Sequence, residues 1–309
     1  MNTYELQRCI DSSLVDVAKR VEELSGLRVP LDTLEVKVIS REEAAHIQRR
    51  DRQILLQPYF PTIENLTYSP AHEMTLAAVY SRNTQTAGIV WKNIPSHFTA
   101  KEIKLLLGHE LTHHAQFSID QFRTLFNQST VWHLAQRHPV LKTQLTQSDT
   151  AAIRGSLTLL DSMMRLIEGD AQYIETELEK FYPPTLRSKF SFKPKLKIAG
   201  LVFDLTGYDE EKIFDYVIGS RIIQGIVKEK GRGEVNKLYK TANAQEIERA
   251  VGMYASANVR SDQLPHIEGT ITRVMNSIFD LQEEVERRKK ALTTHAREIA
   301  SQFFKQKRS

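Results

Sequence analysis

The chain has 309 residues, 41% of them hydrophobic and 26% charged, with a net charge of +4 and a single cysteine. That balance belongs to a soluble globular protein with apolar content for one large domain or two modest ones. Cys9 alone can neither close an internal disulfide nor build a thiolate zinc site, and no stretch approaches 18 uncharged apolar residues. No secretory leader is visible after Met1, so a reducing cytoplasm is the expected compartment.

Residues 3–25 carry Ile10, Leu14, Val17, Val21 and Leu24 at helical spacing and stop near Gly26, which predicts a first helix. After Pro30, residues 34–40 alternate strictly and read as a half-buried strand. Ser40 or Arg41 opens a short polar helix through Arg50, and the Pro-, Tyr- and Asn-rich run from Gln53 to Pro70 reads as irregular. Two β-rich runs, 76–81 and 86–94, flank Arg82-Asn83-Thr84-Gln85 as a hairpin. Thr99-Ala100-Lys101-Glu102 then has the form of a capping box, and Ile103, Leu106, Leu107, Leu111 and Phe117 continue as a helical apolar stripe.

Everything beyond Phe117 reads as helical. Segments 119–128, 130–146 and 149–181 are separated by short polar breaks, with Pro139 kinking or ending one of them and Pro183-Pro184 closing the third. Further helices are expected over 196–205, 209–230, 233–239 and 245–254, with Gly207 and Gly231 as stops. A last long helix runs from about 267 to 304. Its early apolar positions (Ile271, Val274, Ile278, Leu281, Val285) should dock on the body of the protein. Its later part carries Arg287-Arg288-Lys289-Lys290 and Lys305-Gln306-Lys307-Arg308. A solvated terminal helix is the first reading of that charge and weak contact with a membrane or other anionic surface the second; there is no strong nucleic-acid signal. The expected fold class is α+β. Residues 1–117 form an N-terminal α/β subdomain with a small sheet, and 118–309 form a mainly helical subdomain.

The chemistry sits in the helix that Thr99 opens. His109-Glu110-Leu111-Thr112-His113 is an H-E-x-x-H run, which puts two imidazoles one turn apart on one helix face, where both reach a single zinc ion. Glu110 sits beside them as general base for the zinc-bound water. A buried apolar helix holds two histidines and a glutamate only with a compensating partner, because unpaired polar burial costs about 1–3 kcal/mol per group. The bland alternative is a pair of hydrogen-bonded core histidines.

A catalytic zinc needs a third protein ligand and an open position. Gln116 and Ile119 stand where the metzincin pattern has Gly and His, which excludes that branch. Glu168, flanking the stripe Leu157, Leu160, Met164, Ile167, Ala171 and Ile174, is the favoured third ligand, with Glu175, Asp161, His133 and His138 in reserve. Gly169 and Ala171 would let this helix approach the motif helix closely. Asp170 would orient a ligand histidine from behind. His114 points about 100° round the helix from the ligand face and reads as a supporting or surface residue. An extended substrate could pair with the 87–94 strand if that strand is a sheet edge.

H-E-L-T-H followed by E-G-D-A on a later helix resembles the gluzincins, the zinc peptidases with two histidines and a glutamate. Within them the chain is most similar to a zincin-like hydrolase family labelled as associated with deazaflavin-cofactor biosynthesis. The similarity covers residues 95–250 and extends through Lys195, Tyr216, Gly219, Gly231 and Leu238-Tyr239. Val217 and Ile218 depart from that family's polar residues, and Tyr239 stands where tryptophan is usual. The resemblance implies a zincin-like fold, a zinc held by His109, His113 and Glu168, and hydrolysis of a peptide or small amide with Glu110 as base. Tyr216, Tyr173 and Arg221 are candidate oxyanion donors, Tyr216 foremost. Two other readings stay open on the sequence: a zinc hydrolase of a small non-peptide amide or ester, and a non-catalytic scaffold with a structural metal.

Overall fold

The computed structural model describes residues 2–58, 77–94, 98–137, 147–183 and 211–258. Within them one three-stranded sheet lies among helices, and beyond Ala100 every regular element is helical, which makes the class α+β. Helix α1 (Thr3–Ser25) opens on a capping box. Asn2 Oδ1 accepts from the Glu5 amide at 2.9 Å, and the Glu5 carboxylate accepts from the Asn2 amide at 3.0 Å. Leu6, Ile10, Val17 and Val21 bury its inner face. Gly26 ends it at φ 67°, a left-handed conformation that glycine adopts without steric cost.

Strands β1 (Glu35–Ile39), β2 (Ala78–Ser81) and β3 (Thr86–Val90) are ordered β1-β3-β2. β1 runs parallel to β3 with Glu35 opposite Thr86, and β2 runs antiparallel to it with Ser81 opposite the same residue. The expected hairpin therefore forms, and Asp51 fastens its turn by accepting from Ser81 Oγ at 2.7 Å and the Asn83 amide at 3.0 Å. β3 is fully buried and hydrogen-bonded on both sides. This corrects the expectation of substrate pairing along 87–94, because a central strand has no free ladder groups; the edges of the sheet are β1 and β2. Residues 91–93 form a 3-10 turn rather than a strand continuation.

Helix α2 (Arg41–Leu56) runs past its expected end at Arg50 because Leu55 and Leu56 bury against Val131. Helix α3 (Ala100–Phe117) carries the H-E-x-x-H motif. Helix α4 (Asp120–Arg137) passes unbroken through the expected break at Ser129. The hydroxyls of Ser129 and Thr130 donate to the carbonyls of Leu125 and Phe126, at 3.1 and 2.8 Å, so both polar groups are satisfied without leaving the helix. Helix α5 (Gln147–Leu178) stops ahead of Pro183, where the amides of Phe181 and Tyr182 both donate to Leu178 O at 2.9 Å. Helices α6 (Glu211–Lys230), α7 (Arg232–Thr241) and α8 (Ala244–Asn258) follow, with Gly231 at φ 80° between the first two. One apolar cluster runs from Leu6 on α1 to Tyr254 on α8, across the expected subdomain boundary at 117/118. Among the described residues no helix is long and apolar enough to cross a membrane. Pro139, Lys195, Gly207, the helix expected over 196–205 and the basic C-terminal helix lie outside the described residues.

Candidate metal centre

The capping box at Thr99 sets where α3 begins: the Glu102 carboxylate accepts from the Thr99 amide at 2.9 Å, and Thr99 Oγ1 accepts from the Lys101 amide at 3.3 Å. From Leu107 to Phe117 every side chain is buried, so the motif lies in a helix enclosed on all sides. At Gly108 an added Cβ would overlap Leu178 of α5 and touch Val17 of α1, so this glycine permits the close approach of three helices. α5 crosses α3 antiparallel: Leu178 lies at Gly108, Glu175 and Glu168 at His109, and the Ile167 carbonyl at Gln116. Glu168 and Glu175 are seven residues apart and therefore share one helix face, which this crossing turns toward the histidines.

Three donor atoms converge there. His109 Nε2 and His113 Nε2 are 3.1 Å apart, and Glu168 Oε2 lies 3.5 Å from the first and 3.4 Å from the second. Among the described residues this is the group of His, Cys, Asp and Glu side chains arranged to hold a metal. Zinc bonds of about 2.0–2.2 Å at tetrahedral angles set ligand atoms about 3.3 Å apart, and the three separations bracket that value. The donor set, two imidazole nitrogens and a carboxylate oxygen, is also one that zinc takes.

The other nitrogen of each ring is already engaged. His109 Nδ1 faces Glu175 Oε2 at 3.2 Å, and a carboxylate oxygen only accepts, so Nδ1 carries the proton. His113 Nδ1 faces Gln116 Oε1 at 3.1 Å, again an acceptor, because the amide nitrogen of Gln116 is turned toward Asp170, Tyr239 and the Ile167 carbonyl. Both rings thus turn Nε2 to the point that Glu168 faces, where a bound metal would take the place of any proton on that atom. Burial works to lower the pKa of His109, yet Glu168 and Glu175 on either side outweigh it and raise it to about 10. The two carboxylates thus favour positive charge at this point.

Glu110 is buried, and its charge acts on His109. The ring of Tyr216, from α6, stacks beside His109 with centroids 5.7 Å apart and planes at 25°. Tyr173 is half-buried with Glu177 as its foremost charged neighbour, and Arg221 is exposed. Asp170 touches neither ligand ring. It reaches His113 through Gln116, while the carboxylate directly behind His109 is Glu175, expected only as a reserve ligand. His114 is fully buried and donates from Nε2 to the Pro30 carbonyl at 2.9 Å, with Nδ1 3.0 Å from the Tyr80 hydroxyl, so it ties α3 to β2 rather than serving the centre. Burial lowers its pKa. Asp161 pairs with Arg165 at 2.9 Å, His133 lies on α4, and the His138 position lies outside the described residues.

Gly169 does allow a close crossing, but with a different helix from the one expected. An added Cβ there would overlap the Gly219 backbone of α6, and one at Gly219 would overlap the Arg165 carbonyl. This crossing brings Tyr216, one turn before Gly219, into the same wall as Glu168. No family model, no curated protein and no solved structure matches the chain.

Proposed function

We propose that this protein is a zinc-dependent hydrolase of gluzincin type, a metallopeptidase acting on peptides or small amides, with a zincin-like arrangement of the motif helix and the helix bearing the third ligand. The observation that carries this reading is the convergence of His109 Nε2, His113 Nε2 and Glu168 Oε2 within 3.1–3.5 Å, with both Nε2 atoms turned inward. Three protein donors among the described residues leave a fourth tetrahedral position, as catalytic rather than structural zinc sites do. A zinc ion bound there supplies a Lewis acid that lowers the pKa of water toward about 7 and polarises a carbonyl.

The chain's own groups do the rest. Glu110, next to His109 and buried with it, takes a proton from the attacking water and hands it to the leaving amine. Tyr216 is the phenol beside the ligand set, and we assign it the oxyanion contact. Glu175 and Gln116 hold the two rings in the tautomer that ligation needs. The zinc-loaded protein, incubated with a mixed peptide pool and read by mass spectrometry, should give cleavage products that a chelator suppresses. Products unaffected by metal removal would overturn the reading, as would a loaded protein inert toward every peptide and amide offered.

A further inference from the structure

Resting on that reading of the centre, we infer that Gln116 is a positioning residue that fixes His113 as a metal ligand, and that Asp170, Tyr239 and Arg232 together fix Gln116. An amide can present either end to a neighbour. With its NH2 toward His113 it would make Nδ1 an acceptor, push the ring proton onto Nε2 and aim that proton at the centre. The observed orientation is imposed from the far end. Gln116 Nε2 lies 3.2 Å from Asp170 Oδ2, 3.2 Å from the Ile167 carbonyl and 3.0 Å from the Tyr239 hydroxyl oxygen. The Tyr239 hydroxyl gives its own proton to the Leu166 carbonyl at 3.1 Å, so all three oxygens face the amide as acceptors and share its two N–H protons.

Turning the amide over would set its oxygen against the Asp170 carboxylate and the Ile167 carbonyl in a buried site, and the Tyr239 hydroxyl could donate to it only by leaving the Leu166 carbonyl, at about 1–3 kcal/mol for each group left unpaired. Asp170 is held in turn by two N–H groups of Arg232, one at 2.9 Å, and Arg232 Nε donates to the Ser25 carbonyl at 2.8 Å. The relay runs from the last residue of α1 through α7 and α5 to the ligand on α3. His109 has a simpler support, a carboxylate bonded directly to its ring. The two ligands are therefore backed by groups of different charge, and His113 depends on helix packing in a way that His109 does not.

Gln116→Leu keeps the bulk and removes the acceptor, and Tyr239→Phe removes one of the three pins. Both would be made in the full chain and compared with wild type by thermal unfolding, by zinc competition against a chelator, and by the ring N–H resonances of 15N-labelled histidine in metal-free and zinc-loaded protein. Gln116→Leu should weaken zinc by about 10–100-fold and lose or shift the His113 Nδ1 proton signal, with that of His109 unmoved. Tyr239→Phe should produce the same changes in smaller measure, and it decides the matter if the leucine variant fails to fold. Zinc affinity within twofold of wild type, or an unaltered His113 resonance in a folded variant, would overturn the relay. A wild-type chain that takes up no zinc would end the hydrolase reading separately, since the His113 proton is read without metal.

Discussion

At the scale of single residues, Glu110 and His114 show how differently two buried side chains of one helix are used. Under the proposed reading Glu110→Gln keeps the shape and removes the base, so it should retain zinc and fold while hydrolysis falls by about 10²–10⁴-fold. Metal analysis and turnover on one preparation check this; full activity would place the base elsewhere. His114 makes a prediction about pH. Its folded pKa lies below the ordinary 6.5 because burial disfavours the charged ring. The unfolded chain therefore takes up the proton first, and this residue's contribution to stability is complete above about pH 6.5 and lost as the pH falls through the lowered folded value. Protonation also puts a hydrogen on Nδ1, where the Tyr80 hydroxyl approaches at 3.0 Å. Thermal unfolding midpoints of wild type should fall more steeply between about pH 7 and 5 than those of His114→Phe; parallel curves would remove His114 from the acid response. Residue-level meaning was unevenly legible in the sequence. The H-E-x-x-H spacing declares itself, and the need for a third donor narrows the choice to a few residues, of which Glu168 is the one brought to both rings. Gln116, Glu175 and Arg232 are polar residues on helices until tertiary contacts aim them. The one available clue was that Glu175 repeats the face of Glu168 two turns on.

Among the elements, the crossing of α5 and α6 matters most to the site. Gly169 and Gly219 face each other with no room for a methyl group, and their neighbours Glu168 and Tyr216 stand beside His109. Gly169→Ala should force these helices apart at a cost of about 1–3 kcal/mol and weaken zinc binding by displacing Glu168, whereas Gly155→Ala, on the same helix with open space around it, should do neither. Unfolding midpoints and chelator competition on the two variants test the contrast, and equal behaviour would remove the crossing from the account. Composition said that small residues beside Glu168 permit a close approach. It could not say to which helix, because pairing is decided by matched glycines far apart in the chain. Local signals fared better: the boxes at Thr99 and Gly26's stop follow from contacts within one turn. Where α2 overran Arg50 and α4 ignored Ser129, burial of Leu55 and Leu56 and back-bonding by two hydroxyls outweighed local propensity.

At the scale of the molecule, one apolar cluster of the described residues, from α1 to α8, holds the helices that carry His109, His113 and Glu168, so these three side chains are oriented without a metal. Preorganisation of this kind would make the proposed zinc uptake a matter of replacing a proton rather than of folding. His109, raised to about 10 by its two carboxylates, carries that proton at neutral pH, and zinc binding should release it. Titrations in buffers of different ionisation enthalpy check the release; identical heats in all of them would mean that none occurs. The central claim is the metal site itself. Its most direct test is the zinc content and zinc affinity of the purified full chain beside the His109→Ala, His113→Ala double variant. About one tightly held zinc per wild-type chain is expected, and its loss in the variant, which should still fold. Zinc retained at wild-type affinity by the double variant, or no zinc taken up by wild type, would contradict it.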